Sequence, residues 1–196
     1  MPRRVTKAFP TECYHIFNRG ALKNFLFETD EQFEHFLYLL RYHGEKCNIT
    51  ILAYCLMGNH FHLVVRVEAN GDVSKFIKLV CSRYSARWNR RLKRSGTIYE
   101  GRFKMNHIDT ASYLRAVFAY VHLNPVEAGI VKNPIDYKYS SYRECVGTAS
   151  KELCNNSIIH ECFHGVNNYE KYVMSRIENP DIEDPDLSQA VSQFWS

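Results

Sequence analysis

The sequence predicts an α+β fold: an antiparallel sheet with helices packed on one face, in a ferredoxin-like arrangement, followed by a small C-terminal helical extension. Three observations predict it. Strand-like and helix-period segments follow one another in the order β-α-β-β-α-β-α, the pattern of a split βαβ unit with one helix added. Gly58-Asn59 sits between two apolar runs and marks a hairpin. Finally, 196 residues at 45% hydrophobic content suffice for one main core.

The elements follow in order. Cys13 to Arg19 (CYHIFNR) reads as the first strand. From Asp30, taken as N-cap, EQFEHFLYLLRYHGEK carries Phe33, Phe36, Leu37 and Leu40 at helical spacing and stops near Gly44. Ile49 to Met57 and His60 to Val67 form the hairpin. Ser74 to Arg91 is a basic helix with Phe76, Ile77, Val80 and Tyr84 on one side. Phe103 to Ile108 is a fourth strand. Thr110 then caps the helix ASYLRAVFAYVHLNP, which Pro125 is expected to close. There is no internal repeat.

Composition removes several classes. No run approaches the roughly 20 apolar residues that span a bilayer, and MPRRVTKAFP has charge without a following apolar stretch. Seven cysteines, an odd number in apolar contexts, argue for reduced thiols. A cytoplasmic protein with no membrane partner is the expectation.

Charge is unevenly placed. Lys75, Lys78, Arg83, Arg87, Arg90, Arg91, Lys93, Arg94, Arg102 and Lys104 face the single acid Glu100 across the same stretch. Such a block suits a polyanion, and Tyr84, Trp88, Tyr99 and Phe103 interleave it with rings that can stack on bases. Read alone, the run is more simply a solvated helix face. After Ser150 the sign reverses, so residues 1–150 read as the main domain and 151–196 as a small helical extension with an acidic, disordered tail. Cys154, His160, Cys162 and His164 fit no standard zinc finger and read instead as part of a helical pair around Ile158, Phe163, Tyr169 and Val173.

The chemistry-bearing stretch is MGNHFHLVV, Met57 to Val65. Side chains alternate along a strand, so His60 and His62 point one way, roughly 7 Å apart, and Phe61 the other. Two imidazoles can converge on one divalent cation, but two ligands are not a site, and strand histidines are more commonly hydrogen-bonded or surface residues. Tyr120 and Asn124, four apart, share a helical face. A phenol beside a bound cation can attack phosphorus. On helix evidence alone, Tyr120 is a core residue and Asn124 half of an Asn-Pro stop. His15 and His107 read as sheet or DNA-facing residues.

The ordered set YHIFNRG, AYCLMGNHFHLVV, YEGRFK, YLRAVFAYVHLNPVEAGIV and YSSY resembles the IS200-like transposases, most closely the REP-associated tyrosine branch of the HUH (His-hydrophobe-His) nucleases. The resemblance spans about Cys13 to Tyr142. It implies that His60, His62 and Asn124 hold Mg²⁺ or Mn²⁺, and that Tyr120 attacks single-stranded DNA, displacing a 3′ hydroxyl and keeping a 5′-phosphotyrosine link. Tyr113 and His122 do not fit the register. Two imidazoles are softer ligands than Mg²⁺ usually selects, which favours Mn²⁺. DNA contacts would fall on Lys75, Lys78, Arg83, Arg87, Arg90, Arg91, Arg102 and Lys104, with Tyr84, Trp88 or Tyr99 stacking unpaired bases. The implied partner is single-stranded or hairpin DNA, bound by a monomer or homodimer. One departure is Gly58, where relatives commonly carry proline. Two alternatives stay open: a domesticated hairpin-binding protein without turnover, and a nuclease using activated water.

Overall fold

A computed structural model describes residues 8–149 and 153–179, together with Pro185, Asp186, Ser188 and Ser192. Most of the acidic tail read from the sequence lies outside the described residues.

Four strands, β1 (Cys13–Arg19), β2 (Ile49–Met57), β3 (His60–Val67) and β4 (Lys104–Ile108), form one antiparallel sheet in the order β2-β3-β1-β4. Two long helices, α1 (Asp30–Lys46) and α2 (Val73–Arg91), fill the split-βαβ positions. After β4 come α3 (Ala111–Glu127), the short α4 (Tyr142–Cys145), α5 (Ser157–Phe163) and α6 (Val166–Glu178). The α+β class and the antiparallel sheet are those the sequence predicts. Among the described residues no helix is long and apolar enough to cross a membrane.

The expectation of helices on one face holds for α1 and α2 and needs correction for the rest. Tyr14, Ile16, Phe61, Leu63, Val65 and Val67 share a core with Phe36 and Leu40 of α1 and Phe76 and Val80 of α2. On the opposite face Phe17, Cys55, Met57, Val64 and Ile108 meet Val117, Phe118 and Tyr120 of α3. Behind α3 pack Ile158, Phe163, Tyr169 and Val173 of α5 and α6. The sheet is therefore covered on both faces, because its strands are apolar on both. A bulge between Ile51 and Ala53 sets the phase of β2, so that Cys55 and Met57 point toward α3.

Several boundaries differ from the sequence reading. Thr29, not Asp30, caps α1 in a capping box with Gln32, and the helix runs past Gly44 to Lys46. Asp72 caps α2 by accepting from the Lys75 amide at 2.9 Å, and Thr110 caps α3 as predicted. Pro125 does not close α3. Within the last turn it deprives only one carbonyl of an amide donor, and the helix continues to Glu127. Gly129, at φ 68°, ends it: its amide bonds the Val126 carbonyl and that of Ile130 bonds the Pro125 carbonyl, a Schellman pair.

In the C-terminal part, Cys154 is buried against the α1/α2 side of the molecule, whereas His160 and His164 are exposed. Among the described residues no group of three or more His, Cys, Asp or Glu side chains gathers as a metal cluster.

Candidate active site

β3 begins where the Gly58-Asn59 turn ends, which places His60 and His62 at the start of a central strand. They share the face turned to α3, while Phe61 enters the opposite core. α3 crosses this face and brings Tyr120 and Asn124 one turn apart. The ring centroids of His60 and His62 lie 5.1 Å apart at 87°, and that of Tyr120 stands edge-on to His62 at 5.2 Å. His60 Nε2 is 3.4 Å from Asn124 Oδ1. The phenol, both imidazoles and the amide thus converge on one spot between α3 and β3.

Outer contacts fix how these groups face. Asn59 donates through Nδ2 to the Lys23 carbonyl at 3.4 Å, which turns its Oδ1 toward His60 Nδ1 at 2.7 Å. His60 therefore carries its proton on Nδ1 and directs the Nε2 lone pair at Asn124. Asn124 donates through Nδ2 to the Tyr120 carbonyl at 2.7 Å, presenting Oδ1 to the same space. Two acceptors held face to face by their outer partners are what a cation requires. Two imidazoles and an amide oxygen suit a divalent ion with coordination positions left for substrate oxygens.

Burial tunes the groups in the same sense. His60 is pushed down to about 4, chiefly by desolvation, with the Asn124 bond opposing and Arg19 assisting. His62, fully buried, falls well below the usual imidazole range through desolvation and its two histidine neighbours. Both rings are neutral, the form that ligates metal. Tyr120, 2% exposed, is held above the ordinary phenol value by burial and then by nearby Glu127, with Asn124 favouring its ionised form.

Three side chains at this site escaped the sequence reading. His15 of β1, read as a sheet or DNA-facing residue, is fully buried and lies against His62. Asn59 orients His60. Arg19 pairs with Glu100 and lines a cleft of about 260 Å³ with Phe17, Asn18, Gly101, Arg102 and Lys104. In register, Arg19 opposes His60, and Phe17 opposes both His62 and Lys104, so this basic cleft adjoins the histidine pair on the same face.

The basic helix does not join it. Lys75, Lys78, Arg83, Arg87, Arg90 and Arg91 are exposed on α2, which covers the other face of the sheet, and Arg87 and Arg91 reach Glu31 of α1. The base-stacking role read for Tyr84, Trp88 and Tyr99 is corrected: they are 0%, 3% and 7% exposed in the α1/α2 core. Tyr84 donates its hydroxyl to the Leu26 carbonyl. Rings enclosed in this way present no face to a base.

A family model described as "Transposase IS200 like" matches residues 11–124, running from the start of β1 to Asn124. The chain belongs to the IS200-like transposase family, a family of DNA-processing enzymes. Among solved structures it is similar to that of a REP-associated tyrosine transposase bound to a REP hairpin, with 15% identity, 79% of this chain and 94% of that one covered, and a TM-score of 0.64. That likeness is one of fold. A putative transposase from Deinococcus radiodurans R1 matches at 12% identity over 59% of this chain and 92% of that one, with a TM-score of 0.42. A search of curated proteins returned no match.

Proposed function

We propose that this chain cuts and rejoins single-stranded DNA beside a hairpin, using Tyr120 as nucleophile and a divalent cation, Mg²⁺ or Mn²⁺, held by His60, His62 and Asn124. The observation that carries this reading is the meeting of Tyr120, two neutral imidazoles and the Asn124 oxygen at one point. The similar fold was solved with a hairpin DNA, which supports that form as the substrate class.

Once bound, the cation would draw charge from the scissile phosphate and ease attack at phosphorus. Tyr120 Oη forms the new bond to phosphorus as the bond to the 3′ oxygen breaks. The phenol gives up one proton and the departing 3′ hydroxyl takes one up, leaving a 5′-phosphotyrosine. Because one phosphoester replaces another, the reverse attack by a 3′ hydroxyl rejoins the strand without ATP. Asn59 holds the His60 ring in its ligating orientation, and Asn124 ties the ligand set to the helix turn that bears the nucleophile. Arg19, Arg102 and Lys104 would hold phosphates of the strand entering the cleft. The basic residues of α2 would serve DNA that passes around to the other face.

A second reading, a hairpin-binding protein without turnover, is favoured by one observation: Tyr120 is only 2% exposed. Incubation with labelled hairpin oligonucleotides and Mn²⁺ separates the two. The cutting reading expects an adduct that survives denaturation in the native protein and disappears in Tyr120→Phe. Binding without any adduct supports the second reading, and continued cutting by Tyr120→Phe means that water is the nucleophile.

A further inference from the structure

We infer that His15 is a positioning residue for the metal site: it orients the ring of His62 and, by accepting the His62 Nδ1 proton, presents Nε2 to the cation. This inference rests on the proposed function only in taking His62 as a ligand.

His15 Nε2 lies 3.0 Å from His62 Nδ1, and the two rings stack at 5.2 Å and 21°. Both residues are 0% exposed. The ring of His15 is packed further by Phe17, at 5.0 Å, and stands edge-on to Tyr120 at 5.9 Å. It therefore touches the ligand and neighbours the nucleophile without reaching the ligand space itself.

A single proton lies between the two facing nitrogens, and its owner decides whether His62 can ligate through Nε2. If His62 donates, its Nε2 has a lone pair for the cation. If His15 donates, the neutral His62 ring carries its proton on Nε2 and the ligating position is closed. His15 Nδ1 is buried with no hydrogen-bond partner. Each tautomer places the second N–H of the pair at one outer nitrogen, His15 Nδ1 or His62 Nε2, so the demand of a cation for the His62 Nε2 lone pair is what selects between them. A bound cation would favour the arrangement in which each ring carries its proton on Nδ1, and the total number of protons is the same in both arrangements. The stacked pair is a coupled tautomer, in whose ligating form the His15 proton sits on the buried Nδ1.

Two variants and one spectroscopic reading on the full chain with hairpin oligonucleotide test this. His15→Phe keeps the ring and removes the acceptor; His15→Gln places an amide oxygen where Nε2 stood. Mn²⁺ affinity, read from the free-ion electron paramagnetic resonance signal, should fall about 10- to 100-fold in His15→Phe. His15→Gln should stay within about threefold of the native protein, because it restores an outer-shell acceptor. In the native protein with Mg²⁺, ¹⁵N spectra of His62 should show the Nδ1-protonated form, a reading that needs no variant to fold. Native Mn²⁺ affinity in His15→Phe, equal losses in both variants, or a His62 ring still protonated on Nε2 with Mg²⁺ would overturn the inference. So would a native protein that binds no Mn²⁺. A native protein that binds Mn²⁺ with these signatures yet forms no tyrosyl adduct would instead refute strand cutting and leave the role of His15 standing.

Discussion

At the scale of single residues, the proposed nucleophile is held protonated and the proposed ligands are held neutral. Burial and Glu127 hold the Tyr120 phenol above its ordinary value, so at neutral pH it is protonated and its ionised fraction grows as pH rises. His60, pushed down to about 4, stays neutral across the same range. Adduct formation at saturating Mn²⁺ should therefore climb from pH 7 to pH 9, approaching tenfold per unit where phenol ionisation limits the rate; a flat or falling profile in single-turnover assays would show that it does not. Strand parity pairs His60 with His62 and helical spacing pairs Tyr120 with Asn124, but that spacing alone reads as sheet and core, and it was the family resemblance that singled the four residues out. His15 was not legible, since its contact with His62 depends on the β1-β3 register, in which Phe17 opposes His62 and His15 lies diagonal to it. The buried aromatics had a signal that charge obscured: Val73, Phe76, Ile77, Val80, Tyr84 and Trp88 make one continuous apolar stripe at helical period.

Among the elements, the loop after β1 does more than connect. Gly20 donates its amide to the Asn59 carbonyl at 2.8 Å, and the Leu26 and Phe27 amides bond the Gly58 carbonyl at 2.7 and 2.9 Å. The loop thus clasps the turn from which His60 emerges. A Cβ at Gly20 would collide with the backbone oxygen of Asn24, which cannot swing aside. Gly20→Ala should cost about 1–3 kcal/mol in denaturant unfolding and weaken Mn²⁺ binding, because Asn59 loses its fixed position; unchanged stability and affinity would contradict the clasp. At Gly58 the Phe25 ring occupies the space a side chain would need. Neither contact was readable beforehand, because both depend on how the loop folds back. The extent of α3 was misjudged for a related reason, since a proline in the final turn costs one hydrogen bond and does not stop a helix that Gly129 can finish.

For the whole molecule, covering both faces of the sheet buries histidines that stay uncharged. His15 and His122 are pushed down to about 3 and His60 to about 4, all by desolvation first. The unfolded chain takes up these protons near pH 6.5, whereas the folded chain resists them until pH 3–4. Stability is therefore fully present above pH 6.5 and drains away as pH falls toward 4. The Tm should drop by several degrees between pH 7.5 and 5, and a constant Tm would mean that the rings are already charged or exposed. The order of elements and the antiparallel sheet were legible because periodicity reports them directly. The division of helices between two faces was not, because strands apolar on both sides do not say which helix covers which. That division sets α3 and the Arg19–Lys104 cleft on one side and most of the basic charge of α2 on the other. The proposed reaction depends on which group would take the DNA, and the chain has thirteen tyrosines. Mass spectrometry of the proteolysed protein-DNA adduct decides: the nucleotide is predicted on the peptide bearing Tyr120, and its attachment to any other tyrosine would contradict the mechanism.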